Sequence, residues 1–220
     1  MKIDLRNVRC EWINVEKDTE KAEQMVELLD RLGVKNHSRA NAITGIEPHP
    51  EVRKGEEHYR SCAESHFEIL QRAIDNNDFP VMILEDDVDT EKDLGEIEIP
   101  DDADMLYIGT SHGDGNFTTN PVDQNVNKIT QVFATHAIVY FNAAVAKQVI
   151  EAGKTSIYKM NRPFDVAIAY QVQPAFSVYA MTQPIFFQSD AKNEKNKWEE
   201  MTKTPLPIKP KKSMWKTVGV

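Results

Sequence analysis

Three consecutive carboxylates, Glu85-Asp86-Asp87, follow the apolar run Phe79–Leu84. Adjacent carboxylates repel one another, and water or a cation must offset that repulsion. A divalent cation held by carboxylates at a strand end is one way to grip a diphosphate. A solvated acidic turn is the plain alternative, and the buried strand in front of the triplet brings the metal reading level with it. Asp87, Asp89, Glu91, Asp93 and Glu98 also match ligand positions of a calcium loop. That reading fails because Lys92 stands where the loop needs Gly, and a strand rather than a helix precedes it.

Four other groupings could carry chemistry. In Ser61-Cys62-Ala63-Glu64-Ser65-His66, Cys62 and His66 are four residues apart and share one helical face. A thiol nucleophile needs a third, orienting group, and none is apparent. A buried cysteine and a hydrogen-bonded histidine explain the pair as well, with Ser65 and His66 still able to face a ligand. Thr135-His136 lies in an apolar strand, where a lone histidine reads as a satisfied core residue. Asp165 follows Arg162-Pro163 at a helix start, where its charge suits the helix dipole. Gln188-Ser189-Asp190 follows the apolar Pro184–Phe187. Gly113-Asp114-Gly115 matches neither a P-loop nor a dinucleotide fingerprint, so ATPase and NAD chemistry lack support.

The elements that must position these residues alternate between strand and helix. Cys10–Val15 reads as a buried opening strand. Asp18-Thr19 offers an N-cap, and Ala22, Met25, Val26, Leu28, Leu29 and Leu32 recur at helical spacing up to Gly33. A weak strand is expected within 36–45 and a helix from Glu56 to about Asn77. Phe79–Leu84 is continuously apolar, as a central strand covered on both faces would be. Asp101–Ile108 repeats that strand pattern. Residues 109–128 read as a long loop, Val132–Phe141 as a strand, and Ala143–Ala152 as a helix stopped by Gly153. A short helix over 164–172 and a strand over Ala175–Met181 complete an α/β pattern, a mixed central sheet flanked by helices. In open α/β sheets ligands bind beyond the carboxyl ends of the strands, where the acidic triplet falls.

The chain has 220 residues, 40% of them hydrophobic and 28% charged. That composition builds a real core and excludes a disordered or collagen-like chain. No run approaches the roughly 20 apolar residues of a membrane span, and the first residues lack a secretory apolar region. Two cysteines, Cys10 and Cys62, make no disulfide framework, and a reducing compartment is the expectation. The net charge of −9 argues against a general nucleic-acid binder. The charge is uneven, however. Residues 192–220 hold eight lysines and three glutamates, net +5, leaving −14 on residues 1–191. A domain over 1–190 and a basic Pro/Lys-rich tail over 191–220 are therefore expected.

Taken in order, these segments resemble glycosyltransferase family 25, which holds bacterial lipooligosaccharide galactosyltransferases and procollagen galactosyltransferases. The resemblance covers about residues 10–190. It is carried by Ile13-Asn14-Val15-Glu16-Lys17-Asp18, by Thr44-Gly45, and by Ser61-Cys62-Ala63-Glu64-Ser65-His66-Phe67-Glu68-Ile69. It continues through Val81-Met82-Ile83-Leu84-Glu85-Asp86-Asp87, Asp104-Met105-Leu106-Tyr107-Ile108-Gly109, Thr135-His136-Ala137, Pro163-Phe164-Asp165 and Pro184-Ile185-Phe186-Phe187-Gln188-Ser189. Ser61 stands where the family has Gly, and Lys17 or Lys21 where it has Arg.

The resemblance implies a GT-A type, Rossmann-like nucleotide-diphosphosugar transferase fold and metal-dependent, inverting transfer of a sugar to an acceptor hydroxyl. It implies Mn²⁺ or Mg²⁺ on Asp86 and Asp87, with Glu85 orienting the ribose or the metal's surroundings. Asn14, Lys17, Ser65, Gln188 and Ser189 would lie by the donor. Asp165 would be the base, with His66 the second candidate. A saccharide such as a lipooligosaccharide, or a hydroxylated base in viral DNA, is the expected acceptor. The tail, with Trp198, Trp215 and its lysines, would touch a membrane surface or nucleic acid. A bacterial or viral, cytoplasmic protein is expected. The competing class is a non-catalytic nucleotide-sugar or carbohydrate binder on the same fold.

Overall fold

The computed structural model describes residues 1–52, 57–110 and 112–188, with 112–119 described at the level of the backbone. The expected tail and Ser189 lie outside the described residues.

The strands are β1 (Lys2–Asp4), β2 (Arg9–Asn14), β3 (His37–Asn41), β4 (Val81–Glu85), β5 (Val88–Asp89), β6 (Glu96–Glu98), β7 (Met105–Tyr107), β8 (His112–Pro121), β9 (Val126–Phe133), β10 (Ala137–Tyr140), β11 (Val178–Met181) and β12 (Phe187–Gln188). The helices are α1 (Thr19–Arg31), α2 (Tyr59–Asn76), α3 (Ala143–Lys159) and α4 (Phe164–Ala167), the last running into a π-helical turn over Ile168–Val172. Eight strands form one mixed sheet in the order β3-β2-β4-β10-β7-β11-β9-β8. β3, β2 and β4 are mutually parallel, β10 is antiparallel to both β4 and β7, and β11 is parallel to β7. The carboxyl ends of β2, β4 and β7 therefore meet the amino end of β10 along one sheet edge.

Strand alternation explains why both faces are covered. Val81 and Ile83 of β4, Ile138 and Tyr140 of β10, and Met105 and Tyr107 of β7 pack under α2, α3 and α4. Their neighbours Met82, Leu84, Ala137, Val139 and Leu106 pack on the other face with Met25, Leu28 and Leu29 of α1. The i, i+3, i+4 spacing of those three α1 residues puts them on one stripe. Asp18 caps α1 by accepting from the Lys21 amide, and Gly33 ends it at φ +72°. On the α2 face, Glu11 of β2 takes ion pairs from Arg9 and from Arg72 of α2.

Several expectations need correction. The 109–128 segment is not a long loop, because β8 and β9 form an antiparallel ribbon through most of it. Polar Thr, Asn and Lys give the segment no apolar alternation, so the strand signal is weak there. The expected strand 132–141 is two strands, β9 and β10, separated after Phe133, where Ala134 takes positive φ. Gln173 fixes that break: it accepts from the Val132 amide at 3.0 Å and donates to the Val132 carbonyl at 2.7 Å and the Tyr107 hydroxyl at 3.1 Å. α3 does not stop at Gly153 but runs six residues past it, to Lys159. A Cβ at Gly153 would lie 2.4 Å from the Phe67 ring, so this glycine serves the close packing of α3 on α2. The pairs β1–β6 and β12–β5 were too short for a periodic signal.

Candidate functional site

The acidic triplet begins at the last residue of β4 and continues into the turn before β5, and its side chains go to different partners. Glu85 follows Val81 and Ile83 toward the α2 face, whereas Asp86 turns to the α1 face. There Asn14, which shares its β2 face with Cys10 and Trp12, donates through Nδ2 to Asp86 Oδ2 at 2.6 Å and to the Asp18 carbonyl at 3.2 Å. Lys21 Nζ reaches Asp86 Oδ1 at 3.3 Å. Burial lowers the Lys21 pKa, but the charges of Asp86, Asp87 and Asp18 outweigh it and leave the amine above its ordinary value. Asn14 Oδ1 is buried without a hydrogen-bond partner.

On the other face, Glu85 Oε1 faces His66 Nε2 at 3.2 Å and accepts from the Thr135 hydroxyl at 2.9 Å. The His66 side chain is 0% exposed and that of Glu85 21%. Burial pushes the Glu85 carboxyl up, yet the bond and charge of His66, with His136 and Thr135, bring it below the ordinary glutamate value. The His66 ring lies against Phe164 at 5.1 Å between centroids. His136, buried as expected of a core histidine, packs on Gly109: a Cβ there would fall 2.4 Å from its Nε2. The Glu85 amide donates to the His136 carbonyl at 2.9 Å, tying β4 to the residue before β10.

Asp87 follows in the turn between β4 and β5. Pairing of β12 with β5 sets Gln188 opposite Val88, and Gln188 Nε2 donates to Asp87 Oδ2 at 3.1 Å. Burial, reinforced by the neighbouring Glu85 charge, pushes the Asp87 carboxyl up to about 7. A cation would relieve that repulsion and would satisfy the buried Asn14 oxygen. The donors here are oxygens, which suit a hard ion such as Mg²⁺ or Mn²⁺. The residues present therefore fit a divalent metal on the Asp86–Asp87 side of the triplet.

The structure brings Asn14, Glu85, Asp86, Asp87, Gln188 and His66 into one connected group. Asp165, in the first turn of α4, accepts from the Ala134 amide at 3.4 Å, next to Thr135. Ser65 Oγ accepts from the Ile43 amide and donates to the Ser61 carbonyl, both at 2.8 Å, and so ties the segment after β3 to α2. Lys17 is exposed between β2 and α1, and Lys21 occupies the position beside Asp86. Two contributors stood out less in the sequence. Lys21 falls three residues after the Asp18 cap, hence on the first turn facing the strand ends. Thr135 looked like the companion of a core histidine, and only the break between β9 and β10 turns its hydroxyl to Glu85.

No family model matches the chain, and no curated protein matches it in sequence. A solved structure described as a glycosyltransferase involved in the glycosylation of the major capsid of PBCV-1 is similar in fold. Its TM-score is 0.51 at 13% identity, over 89% of this chain and 98% of that one. The chain thus shares a mixed α/β fold, a large sheet between helices, with that protein. Among the described residues no helix is long and apolar enough to cross a membrane.

Proposed function

We propose that the chain is a metal-dependent glycosyltransferase of the GT-A type, moving a sugar from a nucleotide diphosphosugar to an acceptor hydroxyl with inversion. The observation that carries this reading is the acidic triplet at the carboxyl end of β4, gripped by Asn14 and Lys21 from one side and Gln188 from the other. The fold likeness to a solved glycosyltransferase and the resemblance to family 25 support it.

Asp86 and Asp87 would hold Mn²⁺ or Mg²⁺, which supplies positive charge where the departing nucleoside diphosphate develops negative charge. Asn14 orients Asp86 through its 2.6 Å bond. Gln188 orients Asp87, and Lys21, next to Asp86, offers a second positive charge to the diphosphate. Glu85, tied to His66 and Thr135, fixes the end of β4. In the transfer the acceptor oxygen forms a bond to the anomeric carbon, the bond from that carbon to the phosphate oxygen breaks, and the acceptor proton passes to a base. Asp165, on the Thr135 side of the site, is that base in this proposal, with His66 as second candidate. The acceptor is a saccharide such as a lipooligosaccharide, or a hydroxylated base in viral DNA. The tail beyond the described residues, with its lysines and tryptophans, would bring the domain to membrane or nucleic acid.

A thermal-shift panel of nucleotide sugars, with and without Mn²⁺, tests this. The expected outcome is a rise in Tm with one diphosphosugar, lost on chelation, followed by slow metal-dependent hydrolysis of that donor. Asp165→Asn is expected to retain the shift and lose transfer to acceptor. A flat panel overturns the reading. A shift without hydrolysis favours the non-catalytic binder.

A further inference from the structure

Cys62 and His66 stand one helical turn apart on α2, facing Glu85 at the end of β4. The Cys62 sulfur, a His66 ring nitrogen and a Glu85 carboxylate oxygen lie within 4.8 Å of one another. Among the described residues, no other three His, Cys, Asp or Glu side chains bring donor atoms so close. We propose that these three residues form a second cation site, for a borderline-soft divalent metal of the Zn²⁺ class, separate in donor set from the all-oxygen Asp86–Asp87 side.

Donor chemistry carries the choice of ion. Thiolate, imidazole and carboxylate are the ligands that Zn²⁺ takes, whereas Mg²⁺ and Mn²⁺ favour oxygen alone. The spacing agrees. Two ligands about 2.0 Å from a tetrahedral centre lie about 3.3 Å apart, and His66 Nε2 is 3.2 Å from Glu85 Oε1. The ion would replace that hydrogen bond with two coordinate bonds, and the Cys62 sulfur, within 4.8 Å of both ligand atoms, would supply the third. Cys62 is partly buried, packed against the core beneath α2. The surroundings favour a cation: the charges of Glu85, Asp165 and Asp87 all reach the Cys62 thiol, which burial and those charges hold protonated.

Binding breaks the Cys62 S–H bond, forms an S–metal bond and releases one proton to solvent. The imidazole coordinates in its neutral form, keeping one proton on the nitrogen away from the metal and giving any second ring proton to solvent, and no group changes oxidation state. Occupancy would draw Glu85 away from Thr135 and put a fixed ion at the root of the Asp86–Asp87 turn. Zn²⁺ should therefore inhibit the transfer proposed above while Mn²⁺ supports it, although the site itself stands independently of that reading.

Co²⁺ serves as the probe, added to the reduced full-length chain in metal-free buffer. A near-ultraviolet thiolate-to-cobalt charge-transfer band is expected, with visible bands of tetrahedral intensity and saturation at one equivalent. The charge-transfer band should vanish in Cys62→Ser, persist in Cys10→Ala and be displaced by Zn²⁺. No thiolate band at saturating Co²⁺, or a band that survives Cys62→Ser, overturns the site. Asp87→Ala should keep the band; its loss there would assign the ion to the acidic turn instead and equally overturn the proposal. Should Cys62→Ser fold poorly, alkylation of the wild-type chain gives a second measure. Zn²⁺ should shield Cys62 from iodoacetamide, and unchanged labelling overturns the site. Failure of every nucleotide sugar to bind would leave the cobalt spectrum unaltered, so the two proposals fail separately.

Discussion

Glu85 and Asp87 are two residues apart on one backbone and live in opposite electrostatic worlds. Glu85 points to the α2 face, where His66 and Thr135 hold its charge and depress its pKa. Asp87 sits in the turn after β4 with Gln188 as a neutral partner, and its carboxyl is pushed up to about 7. The same local sequence thus yields one carboxylate whose charge its partners favour and one whose charge burial and the neighbouring carboxylates oppose. Pairs of acids driven apart in this way mark sites where structure and chemistry are divided between neighbours. Asp86, between them, is paired with Lys21 at 3.3 Å, a lysine whose side chain is 43% exposed.

The largest effect that would break this contrast is on catalysis. Asp87→Ala is expected to lower sugar transfer by about 100-fold or more, as loss of an electrostatic transition-state partner does. A donor-consumption assay checks it, and full activity would remove Asp87 from the metal side. The next effect is on stability. His66→Ala leaves the Glu85 charge without its main partner and opens a cavity beside Phe164, so about 3 kcal/mol should be lost in denaturant unfolding. An unchanged midpoint would mean that Glu85 is not held by His66.

A subtler test uses pH. Folding raises the Asp87 pKa from 3.8 to about 7. Within that window the unfolded chain gives up a proton that the folded chain keeps, so this group's contribution to stability falls as pH rises and is lowest above about 7. In chelator, Asp87→Asn should therefore raise Tm by a few degrees at about pH 8 and by progressively less toward about pH 4. A gain independent of pH would contradict the raised value. The smallest effect is expected for Thr135→Val, about 1 kcal/mol by thermal melt, the worth of one hydrogen bond to a charged acceptor already shared with His66.

Much of this arrangement was legible in the sequence because burial writes a period. α1 and α2 fall close to their expected spans, Thr19–Arg31 and Tyr59–Asn76, and the apolar run ending in Glu85-Asp86-Asp87 is the central strand β4. Asn14, His66 and Gln188 were singled out by type and order, and they do converge on the triplet. What resisted reading was set by tertiary contact. Thr135 depends on a backbone break held by Gln173, some 40 residues away. Gly153 reads locally as a helix stop, and only the Phe67 ring explains why the helix passes through it. Ser65 looks like a ligand-facing hydroxyl and is already engaged by the Ile43 amide and the Ser61 carbonyl.

The short pairing of β12 with β5 has a consequence in time as well as space. Gln188 and Asp87 are 101 residues apart in the chain. The parallel core of β3, β2 and β4 is complete once Glu85 has been made, long before Gln188 leaves the ribosome. During synthesis Asn14 and Lys21 are therefore at hand for Asp86 early, whereas the Gln188 contact to Asp87 forms only once β12 has been made. A chain ending before Phe187 would keep the sheet's parallel half and lose the clasp. The Gln188 contact to Asp87 is in that sense a readout of the β12–β5 pairing, made by residues synthesised long after the turn they hold.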